Sequence, residues 1–140
     1  MIGLDTNVLV RYIVRDDKKQ AMAATRLIEK HCTEETPGFV SQLVLAELFW
    51  VLSRGYEYPK AVLVSVLTQL LSAVELQVET TEDVWTALRA YESGPAEFAD
   101  YLIGLRGRAY GCETTITFDK KAAKSNMHTL VSIKVPLKSC

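Results

Sequence analysis

Apolar residues come along this chain in short blocks, each closed by a capping residue or a turn signal. Met1–Leu4 is a brief continuous apolar run stopped by Asp5-Thr6-Asn7, the pattern of a strand buried on both faces. Thr6 and Asn7 are cap-forming residues, and Val8–Val14 reads as a short helix behind them. Asp16-Asp17 breaks the chain before a helix over Lys18–His31, with Ala21, Ala24, Leu27 and Ile28 on one face. Thr36-Pro37-Gly38 is a turn, Phe39–Ser41 a second short strand, and Leu43–Ser53 a strongly apolar helix interrupted by Glu47 and ended near Gly55.

Pro59 suits the first turn of a helix running from Lys60 to Ser72. Glu75–Val78 is a brief strand, and Thr81 with Glu82 and Asp83 opens a helix to Tyr91. Ser93-Gly94-Pro95 breaks it. Ala96–Tyr110 is helical with Gly111 at its C-cap, and Thr114–Phe118 is a β-branched strand. Asp119–Lys124 is a short basic helical turn, and Leu130–Val135 a last edge strand. Short strands alternating with helices make βαβ units, hence an α/β fold with a parallel sheet sandwiched by helices.

Length and composition narrow this further. A chain of 140 residues makes one domain. Its hydrophobic fraction of 49% and charged fraction of 24% exclude a disordered tail, a collagen-like repeat and a coiled coil. The N-terminus has no basic start, Asp5 interrupts its apolar run, and nothing approaches the roughly 18 apolar residues of a membrane span. We therefore expect no signal peptide and no membrane partner. Cys32, Cys112 and Cys140 are odd in number and widely spaced. They form no disulfide framework and no zinc site, and they fit a reducing cytoplasm, with Cys140 the thiol most open to oxidation. His31 and His128 stand alone, without a second ligand at metal spacing, and read as structural or surface residues. Phe49, Trp50, Tyr56 and Tyr58, like Tyr91, Tyr101 and Tyr110, read first as packing residues.

Four acids stand apart because of where they sit. Asp5 and Asp119 each follow a strand directly, which in an open parallel sheet aims them at the crevice beyond the carboxyl ends of the strands. Glu47 and Asp100 each interrupt an apolar helical stretch that can flank that crevice. Buried carboxylates are costly, and converging ones repel each other. A hard divalent cation such as Mg²⁺ or Mn²⁺ relieves both penalties. The four together thus predict an all-carboxylate metal site, with Glu97, three residues before Asp100, on the same helical face as a fifth member. Net charge is −1, and it turns mildly positive once these four acids are set aside. Arg11 and Arg15 follow Asp5, Arg106 and Arg108 follow Asp100, and Lys120, Lys121 and Lys124 follow Asp119. Arg11, Arg106 and Lys120 are the candidates for contact with a phosphate backbone.

These stretches resemble a known family. LDTNVLVRYIVRDD (4–17), VLAELFWVLSRGY (44–56), EFADYLIGLRGRAYGC (97–112) and TTITFDKKAAK (114–124) are similar, in order and spacing, to the PIN-domain ribonucleases, specifically the VapC-type toxins of toxin–antitoxin pairs. The resemblance implies a three-layer α/β/α sandwich with a mostly parallel sheet, spanning the chain as a single domain. It implies a catalytic and metal-binding quartet of Asp5, Glu47, Asp100 and Asp119, with Glu97 where many relatives carry Asp. Thr6, Asn7 and Thr117 are implied as supporting residues, Asn7 orienting the carboxylates. The implied activity is Mg²⁺- or Mn²⁺-dependent endonucleolytic cleavage of single-stranded or looped RNA, with one or two ions generating the nucleophile. Implied partners are a small cognate antitoxin laid across the crevice and a second copy in a homodimer, meeting near the aromatic cluster and the helix after it.

Other readings compete. A non-catalytic RNA-binding or regulatory PIN domain is disfavoured by the intact quartet. An aspartyl-phosphate phosphatase or receiver-like domain needs a second Asp where Asn7 stands. Flap-type DNA nucleases use a related acidic site but are much longer and carry further acids.

Overall fold

A computed structural model describes residues 1–132. It divides into two compact units, Met1–Trp85 and Thr86–Cys140.

In the first unit, residues 2–4 run beside strand β1 (Gly38–Val40) in parallel, through Phe39 N–H to Ile2 O at 2.7 Å and Leu4 N–H to Phe39 O at 2.9 Å. This corrects the strand expected over Met1–Leu4. It amounts to a single parallel bridge at Gly3, and only Leu4 is buried. A chain start with one neighbour strand has nothing to cover its outer face, so its other apolar residues stay in water. Strand β1 pairs in parallel with β2 (Leu76–Val78), Gly38 opposite Leu76 and Val40 opposite Val78.

Helix α1 spans Thr6–Val14, α2 Lys18–His31, α3 Gln42–Trp50 and α4 Lys60–Ser72. Their starts are chemically marked. Asp17 accepts from Gln20 N–H at 3.1 Å and Ser41 from Val44 N–H at 3.1 Å, so each satisfies an orphan amide of the first turn. The cap of α1 is Asp5, whose Oδ1 accepts from Thr6 N–H at 2.8 Å, and not Thr6 or Asn7 as their composition suggested. Three cap-capable residues in a row leave the choice to packing, and Thr6 is drawn inside the helix and buried. On α3, Leu45, Leu48 and Phe49 point inward and are joined by Leu52 from the turn that follows. That turn, Val51–Gly55, is π-helical. Leu9, Val40, Leu67 and Val84 complete the centre of this core.

Helix α5 (Thr81–Ser93) contains the boundary between the units. The second unit holds α6 (Phe98–Ala109), followed by Gly111 at φ 96°, a conformation that glycine adopts without strain. Strand β3 (Thr115–Thr117) pairs in parallel with β4 (His128–Leu130), joined through a 3₁₀ turn at Ala122–Lys124. The last strand thus begins earlier than the Leu130–Val135 expected, whose residues from 133 onward lie outside the described residues, as does Cys140. Helix α6 lies close on β4: a Cβ at Gly104 would stand 2.8 Å from Met127 Cβ. His128 is buried and its Nδ1 pairs with Ser125 Oγ at 2.6 Å, a structural role.

Gly94 closes the turn between α5 and α6. A Cβ there would overlap the Tyr101 hydroxyl and stand 2.7 Å from Ala90 O. Tyr101 is buried and its Oη accepts from Ala96 N–H, so it has nowhere to go. Gly94→Ala is expected to lower stability by about 1–3 kcal/mol, as overpacking does, read as a lower urea midpoint at unchanged slope.

The α/β class with parallel strands is as expected. The parallel pairing is carried by two separate two-stranded sheets, one in each unit. Among the described residues no helix is long and apolar enough to cross a membrane.

Candidate functional site

Thr6 is where distant parts of the first unit meet. Its amide donates to Asp5 Oδ1, and its hydroxyl donates to Glu47 Oε1 at 3.2 Å, across 41 positions of sequence. Helix α1 packs on α3, and this buried threonine ties the two carboxylates to one residue. Asn7, expected to orient the acids, is exposed instead. It lines a cleft of about 360 Å³ between α1 and α2 with Val8, Arg11, Gln20, Ala23 and Leu27.

The second unit fixes its acids by local backbone bonds. Asp100 Oδ2 accepts from Glu97 N–H at 3.0 Å, closing the start of α6. Asp119 Oδ1 accepts from Lys121 N–H at 2.8 Å and Ala122 N–H at 3.2 Å, which forms the 3₁₀ turn. Thr117 Oγ1 accepts from Asp119 N–H at 3.0 Å, so Thr117 holds the backbone of the acid two residues on. Each of the four acids therefore has one oxygen held by a local donor. A carboxylate offers about four lone-pair positions, so this does not exhaust it.

Burial differs from the expectation. Asp5, Glu47, Glu97 and Asp119 are exposed and Asp100 is half-buried. The reason is visible on α3, where Leu45, Leu48 and Phe49 take the core side and Glu47 turns outward. Desolvation therefore does not force an ion onto these groups, and the case for one rests on their donor chemistry. Within neither unit, among the described residues, do three Asp, Glu, His or Cys side chains stand together as a ready-made cage.

Two aromatic expectations are also corrected. Trp50 is 61% exposed and Tyr110 84% exposed, whereas Phe49, Tyr91 and Tyr101 are buried. Trp50 stands on the Glu47 side of α3, and Tyr110 lies just past the end of α6.

Among the candidate RNA contacts, Arg106 is half-buried and Lys120 exposed. Arg11 is already engaged: its Nη1 donates to Asp16 Oδ1 at 2.9 Å and its Nε to Gln20 Oε1 at 2.6 Å. Tyr56 OH donates to the other Asp16 oxygen at 2.7 Å. Neither Asp16 nor Tyr56 carried any sequence signal for this contact, which spans 40 positions. The Tyr56 hydrogen bond, helped by the Arg11 charge, holds the Asp16 carboxyl below its ordinary value. The same bond pushes the Tyr56 phenol up. Its stabilisation is thus present above the ordinary Asp pKa of about 3.9 and fades as pH falls through the lower folded value. On the alkaline side it is present below the ordinary Tyr pKa of about 10 and is lost as pH rises through the higher folded value. Tyr56→Phe is expected to raise the Asp16 pKa, followed by carboxyl NMR titration. An unmoved titration would show that the hydroxyl does not set it.

The sequence matches the PIN domain family over residues 2–125. It is also 22% identical over 127 residues to a VapC ribonuclease of Aquifex aeolicus (strain VF5), covering 91% of this chain and 93% of that protein. A match of this length, taking in each of the acids described above, means that the chain belongs to the PIN domain family.

Proposed function

We propose that this chain is a divalent-metal-dependent endoribonuclease, the toxin of a toxin–antitoxin pair, acting in the cytoplasm on single-stranded or looped RNA. Asp5, Glu47, Asp100 and Asp119 are the residues that would hold Mg²⁺ or Mn²⁺, with Glu97 beside them. An all-oxygen, anionic and water-accessible donor set suits a hard cation and not a soft one. When bound, such an ion supplies a Lewis acid that acidifies water and stabilises the leaving oxygen of a phosphodiester. The observation that carries this reading is Thr6 joining Asp5 and Glu47. A ligand whose one oxygen is held by a hydrogen bond loses less freedom on binding metal. Thr117 acts likewise on the Asp119 backbone. Arg106 and Lys120 offer charge to the RNA backbone, and A-form duplexes, which hide their phosphates and base edges, are poorer substrates. The family relative is itself a ribonuclease. A small antitoxin that covers the acids, and a second copy of the chain, are the partners this reading carries.

The purified chain should cut an unstructured RNA with Mg²⁺ or Mn²⁺, stop in EDTA, and resume when Mn²⁺ is restored. Cleavage that persists in EDTA would remove the metal from the reading, and no cleavage with either ion would remove the nuclease.

A further inference from the structure

The outward side of α3 carries Leu43, Glu47 and Trp50, with Arg54 following in the π-helical turn. Spacings of three and four residues put these side chains on one face. Leu43 is 72% and Trp50 61% exposed, so an indole stands in water one helical turn from a proposed metal ligand. The Arg54 guanidinium lies over one side of that ring, 4.7 Å from its centroid. π-Helical turns are rare and often occur at functional sites.

A large aromatic with a cation beside it suits two kinds of partner. A protein interface would place Leu43 and Trp50 in its dry centre and bury the Glu47 carboxylate between them, which is costly without a partnering cation. An unpaired nucleotide has no such conflict. Its base stacks on an indole and its phosphate pairs with a guanidinium. We infer that Trp50 is a stacking platform for an unpaired RNA base next to the scissile phosphate, and that Arg54 holds a neighbouring phosphate. This rests on the proposed ribonuclease function and deepens it, by making Trp50 a determinant of the requirement for single-stranded substrate.

The test is a binding measurement in EDTA, where cleavage does not intervene, using the full chain and a fluorescein-labelled single-stranded RNA of mixed sequence. Tryptophan emission should be quenched on adding RNA. Trp50→Ala should lose most of that quenching and bind about tenfold more weakly, while Trp50→Phe keeps most of the affinity. A fully paired RNA should bind the wild type and Trp50→Ala alike. Trp50→Ala binding single strands as well as wild type, with its thermal transition unchanged, would overturn the inference. So would an indole that becomes shielded with rising protein concentration alone while light scattering reports two chains, since the face then belongs to self-association. Failure of the nuclease reading looks different: Trp50-dependent binding without cleavage in Mn²⁺ leaves the platform and removes the enzyme. Cleavage with full binding by Trp50→Ala does the reverse.

Discussion

Asp5→Asn folds like the wild type and loses RNA cleavage in Mn²⁺ by at least about a hundredfold. The substitution isolates charge from structure. Asn retains an oxygen at the place where Asp5 Oδ1 accepts from Thr6 N–H, so the start of α1 keeps its cap. What disappears is the anion that a hard cation requires. Groups that merely support a metal ligand cost about 10–100-fold when removed, and a ligand costs more. Asp5→Ala is the poorer experiment, because it also removes the cap and about 1 kcal/mol of stability. Thr6→Val is the companion variant. It keeps the shape of a buried residue and deletes only the hydroxyl that donates to Glu47. Cleavage should fall about 10–100-fold, with part of the loss recovered at high Mn²⁺ if the threonine acts by holding the ligand. Full activity in Asp5→Asn would end the assignment of these acids to catalysis.

Phe98→Ala is expected to cost about 3–5 kcal/mol, against a total of about 5–15 kcal/mol for a typical domain. Phe98 is 0% exposed and is the first residue of α6. Its ring meets Tyr91 edge-on at 6.4 Å, so truncation opens a cavity and removes an aromatic pair together. Asp100 lies two residues further along the same helix, which makes this the core position whose loss most directly disturbs a candidate ligand. Urea denaturation reads the change as a lower midpoint, and a shift under about 1 kcal/mol would contradict the packing described.

What the sequence made legible follows from how local each signal is. The starts of α2 and α3 are written in Asp17 and Ser41, since a cap bonds an amide three residues away. The glycine after α6 and the break at Ser93-Gly94-Pro95 are equally local. The outward turn of Glu47 and Trp50 is not. Helix α3 is apolar on nearly every side, so its periodicity cannot say which side faces the core, and Leu43 and Trp50 look like core until Leu45, Leu48 and Phe49 are seen to occupy it. The acids themselves stood out by position, but the inference that they are buried relied on that same ambiguous face. Thr6 as the link to Glu47, and Tyr56 as the partner of Asp16, depend on which helices pack together, and no spacing encodes that.

The all-parallel pairing of such short strands has a kinetic consequence. Parallel neighbours cannot be joined by a tight hairpin, so each ladder waits for a crossover to close. For β3 and β4 the crossover is residues 118–127, near the shortest that geometry permits, whereas β1 and β2 must wait for residues 41–75 to fold between them. Chain-closure entropy rises with the length enclosed, and pairing across long separations is slow. Refolding chains should therefore protect the amides of the Thr115–Leu130 ladder from hydrogen exchange before those of Gly38–Val40 and Leu76–Val78. During that interval the first ladder's edges stay open to neighbouring molecules, and dilute or cooled refolding should give the higher yield.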